Sequence, residues 1–423
     1  MDFYDIKLGD CLSMIENGAT IKQQKGSKGL PITRIETLSN NRFNRDRLGY
    51  ADIFDANKYS HYILDDKDIL MSHINSKAFL GRSVLYKRRG NEQIIHGMNV
   101  LRIKTKKDIL NQEYAYYYFQ TSFFKKNIHN IRKDAVNQSS INISDIKDII
   151  IQIPSLKDQK DIVTILSNID SKIALNRQIN DNLEAMARQL YDYWFVQFDF
   201  SDENGRPYKS RGGKMVWNEK LKQNIPMGWI VEDISKIADV YNGATPSTKE
   251  EQNYGGNIVW ITPKDLSDQK SKFVYYGERN ITQKGYDSCS THMLPIDTVL
   301  MSSRAPIGLL SIAKSELCTN QGFKSFVPKK ETLGSYLYYY ILLHIKQIEQ
   351  LGTGTTFKEI SRDDVMTYPI LVPKEELLNK WAEFVFPIDN RQFEIQQENN
   401  KLTKQCDELL PLLMNGQALI NSD

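Results

Sequence analysis

The sequence predicts an α+β protein built twice over: two mixed α/β domains in a pseudo-twofold repeat, each followed by a long helix. Three observations carry this. The small turn in "ENGATIKQQ" (16–24) returns in "YNGATPSTK" (241–249), at an offset of 225. Further matches continue the repeat to the end of the chain. A run without Gly or Pro then follows the first globular part, and its register is held in the second copy.

The repeat orders the elements. "LMS" at 70–72 recurs at 300–302, an offset of 230. His96-Gly97-Met98 is set against Gln321-Gly322-Phe323 at 225, and "YAYYYF" (114–119) against "YLYYYI" (336–341) at 222. From "IP" (153–154) and "VP" (372–373) onward the offset stays at 219, through Ile169-Asp170 and Ile388-Asp389, Leu183 and Leu402, and Leu190 and Leu409. Loops tolerate insertions and packed helices do not, so a drifting offset marks loop-rich domains and a fixed one marks rigid helices.

Within the domains, "GGNIVWITPKDL" (255–266), "DTVLMSSRAPIGLLSIA" (297–313) and "GFKSFVP" (322–328) read as short strands divided by Gly and Pro. "QEYAYYYFQTSFFKKNI" (112–128) and "SYLYYYILLHIKQI" (335–348) read as helices. Their consecutive tyrosines favour a core over a base-stacking platform.

From Pro154 the chain runs to Phe195 without Gly or Pro, and Ser155 with Asp158 has the spacing of a capping box. Steps of four and three select Ile162, Leu166, Ile169, Ile173, Asn176, Asn180, Leu183, Ala187, Leu190 and Trp194. The same rule selects Trp381, Val385, Ile388, Gln392, Ile395, Asn399, Leu402, Cys406, Leu409 and Leu413. Eight of ten positions in each set are apolar, as a coiled-coil seam requires. Asn180 and Asn399 fall at matching positions. Buried, they would fix the register of the helices; alternatively both point to solvent. Pro387 predicts a kink or interruption near Phe386.

Composition excludes more than it selects. The chain has 423 residues, 40% hydrophobic and 25% charged, which suits two or three ordinary globular domains. The longest apolar run, "YLYYYILL" (336–343), is too short for a bilayer, and the acidic start "MDFYDIKLGD" does not resemble a secretory signal. Four scattered cysteines (Cys11, Cys289, Cys318, Cys406) form no C-x-x-C pair, so a cytoplasmic protein with reduced thiols and no zinc site is expected.

The net charge of +3 is unevenly spread. Residues 1–153 carry 24 Lys+Arg against 17 Asp+Glu, residues 201–225 carry 6 against 3, and residues 226–372 carry 15 against 16. The first domain suits a polyanion; charge alone offers the second no such support.

No catalytic signature is present. The chain lacks a G-x-x-x-x-G-K-[ST] loop, a G-x-G-x-x-G strand-to-helix turn, the acidic Pro-Pro-Tyr signature of amino-methyltransferases, and histidines at metal-ligand spacing. What recurs is small, polar and basic residues on turns. "RKDAVNQSSINISDI" (132–146) and "GTGTTFKEISRDD" (352–364) each precede a long helix. Such loops hold phosphates and reach base edges, or serve as plain connectors.

"IPMGWIVEDISKIADVYNGATPS" (225–247), "YGGNIVWITPKDL" (254–266), "MSSRAPIGLLSIA" (301–313), "TNQGFKSFVP" (319–328) and the connector "LYDYWFVQFDFSDENGRPYKSRGGKMVWNEKL" (190–221) resemble the specificity (S) subunits of type I restriction–modification systems. The first domain departs from the pattern, with Ile21 where Pro246 stands and a longer segment at 72–84.

The resemblance implies target-recognition domains at 1–153 and 226–372, long helices at 154–200 and 373–423 forming an antiparallel coiled coil that separates them, and a connector at 201–225. It further implies a non-catalytic, cytoplasmic subunit that reads a bipartite asymmetric target in double-stranded DNA, one domain to each half. Two methyltransferase subunits would dock on the helices and motor–nuclease subunits would join for restriction. S-adenosylmethionine, ATP and Mg would belong to those partners. A two-headed coiled-coil scaffold that binds proteins in place of DNA is the competing reading.

Candidate DNA-contacting residues are Thr20, Lys22, Lys25, Arg34, Arg42, Gln138, Ser139 and Ser140 in the first domain. In the second they are Thr245, Ser247, Lys249, Lys264, Arg304, Gln321, Lys324, Thr355, Thr356 and Lys358, with Arg304 for guanine or a salt bridge and the lysines for phosphates.

Overall fold

The computed structural model describes residues 2–23, 28–39, 42–136, 138–353 and 358–418. Its contacts divide the chain into two units. One holds residues 1–175 and 399–423, the other residues 176–398.

The first unit contains β1 (Tyr4–Lys7), β2 (Leu12–Asn17), β3 (Arg42–Phe43), β4 (Ile69–Ser72), β5 (Ser83–Leu85) and β6 (Val100–Thr105). Helices α1 (Gln112–Gln120) and α2 (Ser122–Asn130) and strand β7 (Ile150–Ile153) follow. An antiparallel sheet runs β2-β6-β4-β5, and β1 pairs with β7. Its centre is buried because Ile69, Met71, Leu101 and Ile103 meet Tyr114, Tyr118 and Phe119 of α1. The helix expected over 112–128 is two. Thr121 stands between them in extended backbone, and its hydroxyl accepts from the Phe124 amide to cap the second.

The long helix α3 spans Leu156–Tyr191, and a wider helical turn carries it on through Asp192–Val196. Ser155 caps its start: the hydroxyl accepts from the Asp158 amide at 3.3 Å and donates to the Asp158 carboxylate at 2.9 Å.

The second unit repeats the plan with β8 (Ile230–Asp233), β9 (Ala238–Asn242), β10 (Tyr254–Ile261), β11 (Phe273–Val274), β12 (Val299–Ser303), β13 (Ile307–Ala313), β14 (Cys318–Thr319) and β15 (Phe323–Pro328). Helix α4 (Leu333–Gln350), strand β16 (Pro369–Val372) and the second long helix, α5 (Glu375–Met414), complete it. Here the sheet runs β9-β15-β12-β13-β11, with its last pair parallel, and β8 pairs with β16. Strand β10 lies in a second sheet with β14 and Arg279–Ile281.

The two long helices run antiparallel. In the second unit Asn176 meets Glu398, Glu184 meets Gln392 and Trp194 meets Trp381, one number falling as the other rises. In the first unit Ile162 and Leu166 share a cluster with Leu413 and Met414. The seam differs from expectation at its polar points. Asn180 and Asn399 are only half-buried, whereas Asn176 and Gln392 are fully enclosed, with the Asn176 amide donating to Glu398 at 2.8 Å. Pro387 does not interrupt α5, which is one element from Glu375 to Met414. Trp381 and Val385 before the proline and Asp389 and Gln392 after it are all buried. Packing on both sides outweighs the one backbone bond that the ring removes.

Candidate nucleic-acid interface

Strand pairing gathers the candidate loops of the second domain at one end of its sheet. Asn242, the last residue of β9, lies opposite Lys324 near the start of β15, and Ser302 of β12 lies opposite Phe323. The segments after β9, after β12 and before β15 therefore emerge together. Ile261 of β10 pairs with Thr319 of β14, which brings Thr262–Lys264 to the same place.

The repeated turn is built into this edge. Ala244 donates its amide to the Thr319 carbonyl at 2.9 Å, and its own carbonyl accepts from the Trp260 indole at 3.1 Å. Gly243 is needed because a Cβ there would lie 2.2 Å from the carbonyl oxygens of both Thr319 and Asn320. Thr245 then donates to the side-chain oxygen of Gln321. Ser247 and Lys249 stand exposed further along the same loop.

Arg304 sits 3.8 Å from one oxygen of Glu359, and the ammonium of Lys324 is 3.7 Å from the other. Glu359 is held there by reciprocal backbone bonds with Thr353. Lys324 is 5% exposed; burial pushes its pKa down against the pull of Glu359. It therefore does not present a free ammonium outward. Lys264 is exposed and paired with Glu278 at 2.6 Å, and Lys358 is exposed. Thr355 and Thr356 lie outside the described residues, as does Lys25.

The first domain forms the same edge from different residues. Leu101 pairs with Asn17, and Val100 with Ser72. Ala19 donates to the His96 carbonyl at 2.8 Å, a Cβ on Gly18 would lie 2.2 Å from that same oxygen, and Thr20 donates to the Met98 sulfur at 2.9 Å. These bonds set His96-Gly97-Met98 against Thr319-Asn320-Gln321, an offset of 223. The 225 register read from Gly97 and Gly322 slips by two residues, because in this edge the backbone bonds and not the glycines define equivalence.

Lys22 is exposed in the loop after β2. Arg34, also exposed and 3.8 Å from Glu36, follows Thr33, whose hydroxyl accepts from the Gly97 amide at 2.8 Å. Ser139 and Ser140 pair with Asn75 and Ile74 just beyond β4, and Gln138 stands exposed beside them. Ser139 is buried and donates to Asp134 at 2.7 Å. That carboxylate also holds Lys77 and Arg132, neither of them among the candidate residues, although Arg132 opens the polar loop at 132–146.

Arg42 does not join this edge. It is exposed on β3, where the surrounding protein lowers its pKa against the pull of Asp170 of α3 and of Tyr116. The residue matching it in the second domain, Lys272, was also missed. Each cation precedes a phenylalanine, Phe43 or Phe273, at the same offset of 230 as the two "LMS" runs, and that was the available signal.

The chemistry of the two edges is that of a contact surface: hydroxyls, amides and cations on strand-end loops, with no nucleophile–base pair among the groups described. Among the described residues no group of three or more His, Cys, Asp or Glu is placed to hold a metal ion. Nor is any described helix long and apolar enough to cross a membrane.

The family model for the type I restriction modification DNA specificity domain matches this chain twice, over residues 2–185 and 226–404. The chain belongs to that family. The provisionally named MjaX type I restriction enzyme specificity subunit of Methanocaldococcus jannaschii is 30% identical over 424 residues, covering 98% of this chain and 93% of its own. The MjaIX specificity subunit of the same organism is 37% identical over 202 residues, 46% of this chain and 47% of its own. The crystal structure of a type I restriction–modification S subunit from M. genitalium superposes with a TM-score of 0.60 at 15% identity, covering 97% of this chain and 96% of that one. At that identity the likeness is one of fold. As a type I specificity subunit the chain is the non-catalytic member of its system, and the catalytic activities lie in other subunits.

Proposed function

We propose that this specificity subunit reads a split, asymmetric target in double-stranded DNA, with one sheet-end edge on each half. Its long helices serve as the spacer and as the dock for two methyltransferase subunits. Motor–nuclease subunits complete the restriction complex, and S-adenosylmethionine, ATP and Mg belong to those partners. The observation that carries this reading is the edge built twice on one backbone plan and dressed differently: Thr20 with Met98 in one copy, Thr245 with Gln321 in the other. A shared scaffold with unlike outward groups suits two unlike half-sites, because base edges are distinguished by donor and acceptor pattern.

The test is the methylation map of DNA from cells carrying the complete system. The expected result is N6-methyladenine in one asymmetric split motif that disappears when this chain is deleted. A continuous or palindromic motif, or a map unchanged by the deletion, would overturn the reading. Four residues inserted into both long helices add about 6 Å, close to two base pairs, and should change the unread gap.

A further inference from the structure

A second enclosed lysine of the second unit belongs to neither strand-end loop. Lys272 enters β11 with its side chain 8% exposed. Its ammonium is 2.7 Å from Asp389 of α5, 3.2 Å from Glu184 of α3, 2.6 Å from the Tyr339 hydroxyl of α4 and 3.0 Å from the Gln392 side-chain oxygen. The other carboxylate oxygen of Asp389 accepts from Ser335 of α4. Glu184 also takes the Tyr339 hydroxyl at 3.1 Å and Arg188 at 2.7 Å. Burial raises the Glu184 carboxyl, but Lys272 and Arg188 outweigh it and hold its pKa below the ordinary value. One ammonium thus joins the recognition sheet to both long helices and to α4.

Such a cluster is a weak source of stability, because desolvating the charges offsets most of their attraction. It is a strong source of geometry. Apolar faces slide past one another at small cost, whereas a buried ammonium displaced from its two carboxylates is left uncompensated. The first domain carries a reduced version. Arg42, which is exposed, stands at the position of Lys272 and Asp170 at that of Asp389, and the Tyr117 hydroxyl donates to Asp170 at 2.7 Å. The repeat sets Thr403 against Glu184 and Ile173 against Gln392, so the second carboxylate and the amide are missing.

We propose that Lys272 is a positioning residue for DNA reading, clamping the second recognition domain in one orientation on the long helices. This rests on the split-target reading above. The test uses the full chain with its methyltransferase subunits, acting on DNA with the native gap and with gaps one base pair shorter or longer. Three variants are compared: Lys272→Met, Lys272→Arg, and a neutral form combining Lys272→Met, Asp389→Asn and Glu184→Gln that leaves no buried charge unpaired.

The neutral form should keep its thermal midpoint but lose roughly tenfold in gap discrimination, mid-range for coupling within one ionic network. Lys272→Arg should restore most of it, which a merely structural role would not predict. A folded neutral form that discriminates gaps as the native chain does overturns the clamp and leaves the split-target reading intact. A native chain without gap preference overturns both.

Discussion

Replacing Gly243 by alanine tests the architecture of the candidate edge in the second domain. The added Cβ would meet two carbonyl oxygens at 2.2 Å and the Thr319 hydroxyl at 2.4 Å. Ordinary contact is restored only if the turn backs away by roughly 1 Å. That shift breaks the 2.9 Å bond from Ala244 to Thr319 and the Thr245–Gln321 bond. With about 1 kcal/mol for each hydrogen bond and a similar amount for residual crowding, the loss is about 3 kcal/mol. Urea denaturation of the full chain measures it. The control is Gly255→Ala, where φ is +83° and nothing lies within 4 Å of the new Cβ; backbone strain alone should cost about 1–2 kcal/mol there. Equal or smaller destabilisation by Gly243→Ala would refute the argument that the turn is glycine because it is pressed against the chain opposite. Gly18→Ala should behave as Gly243→Ala does, since its Cβ would meet the His96 oxygen at the same distance.

Two further outcomes follow from buried groups. His96 is fully buried, donates to the Val100 carbonyl at 2.6 Å, and is held neutral by burial, its pKa pushed down to about 4 from 6.5. The unfolded chain therefore binds this proton first as the pH falls. The contribution of His96 is fully present above pH 6.5 and is lost towards pH 4, amounting to roughly 3 kcal/mol. His96→Thr, the residue of the second copy, should flatten the pH dependence of the unfolding midpoint across that window. Trp381 is fully buried among the rings of Tyr191, Trp194, Phe195 and Tyr339. Trp381→Ala should cost about 4 kcal/mol in denaturant unfolding. Trp381→Phe should cost much less, because the indole N–H has no partner among the described residues and leaves with the ring.

Much of this was legible because it is local or periodic. The doubled turn, the run from Ser155 free of Gly and Pro, its Ser155–Asp158 cap and the apolar steps of three and four are properties of short segments. Short segments are what a sequence displays directly. Lys324 shows where this ends. As a lysine beside a turn it reads as a phosphate contact, yet strand pairing turns it inward, within 3.7 Å of Glu359. Arg42 is exposed as the sequence suggests, but only the fold brings it under the influence of Asp170, a residue 128 positions away. The 223 register at Met98 and Gln321 was hidden because glycines are easily matched by eye, while the bonds that define equivalence join segments 77 residues apart (Ala19 with His96).

By itself, the sequence determined that this protein is one plan written twice, with two long helices and no catalytic motif. Those follow from repetition and periodicity, which need no partner to be seen. Only the tertiary structure decided which cations face outward and which are spent internally, that Pro387 leaves its helix continuous, and that Asn176 and Gln392, not Asn180 and Asn399, fill the helix seam. Each of those outcomes depends on what lies opposite a residue in space. A charge or an amide acquires its role from the group it meets.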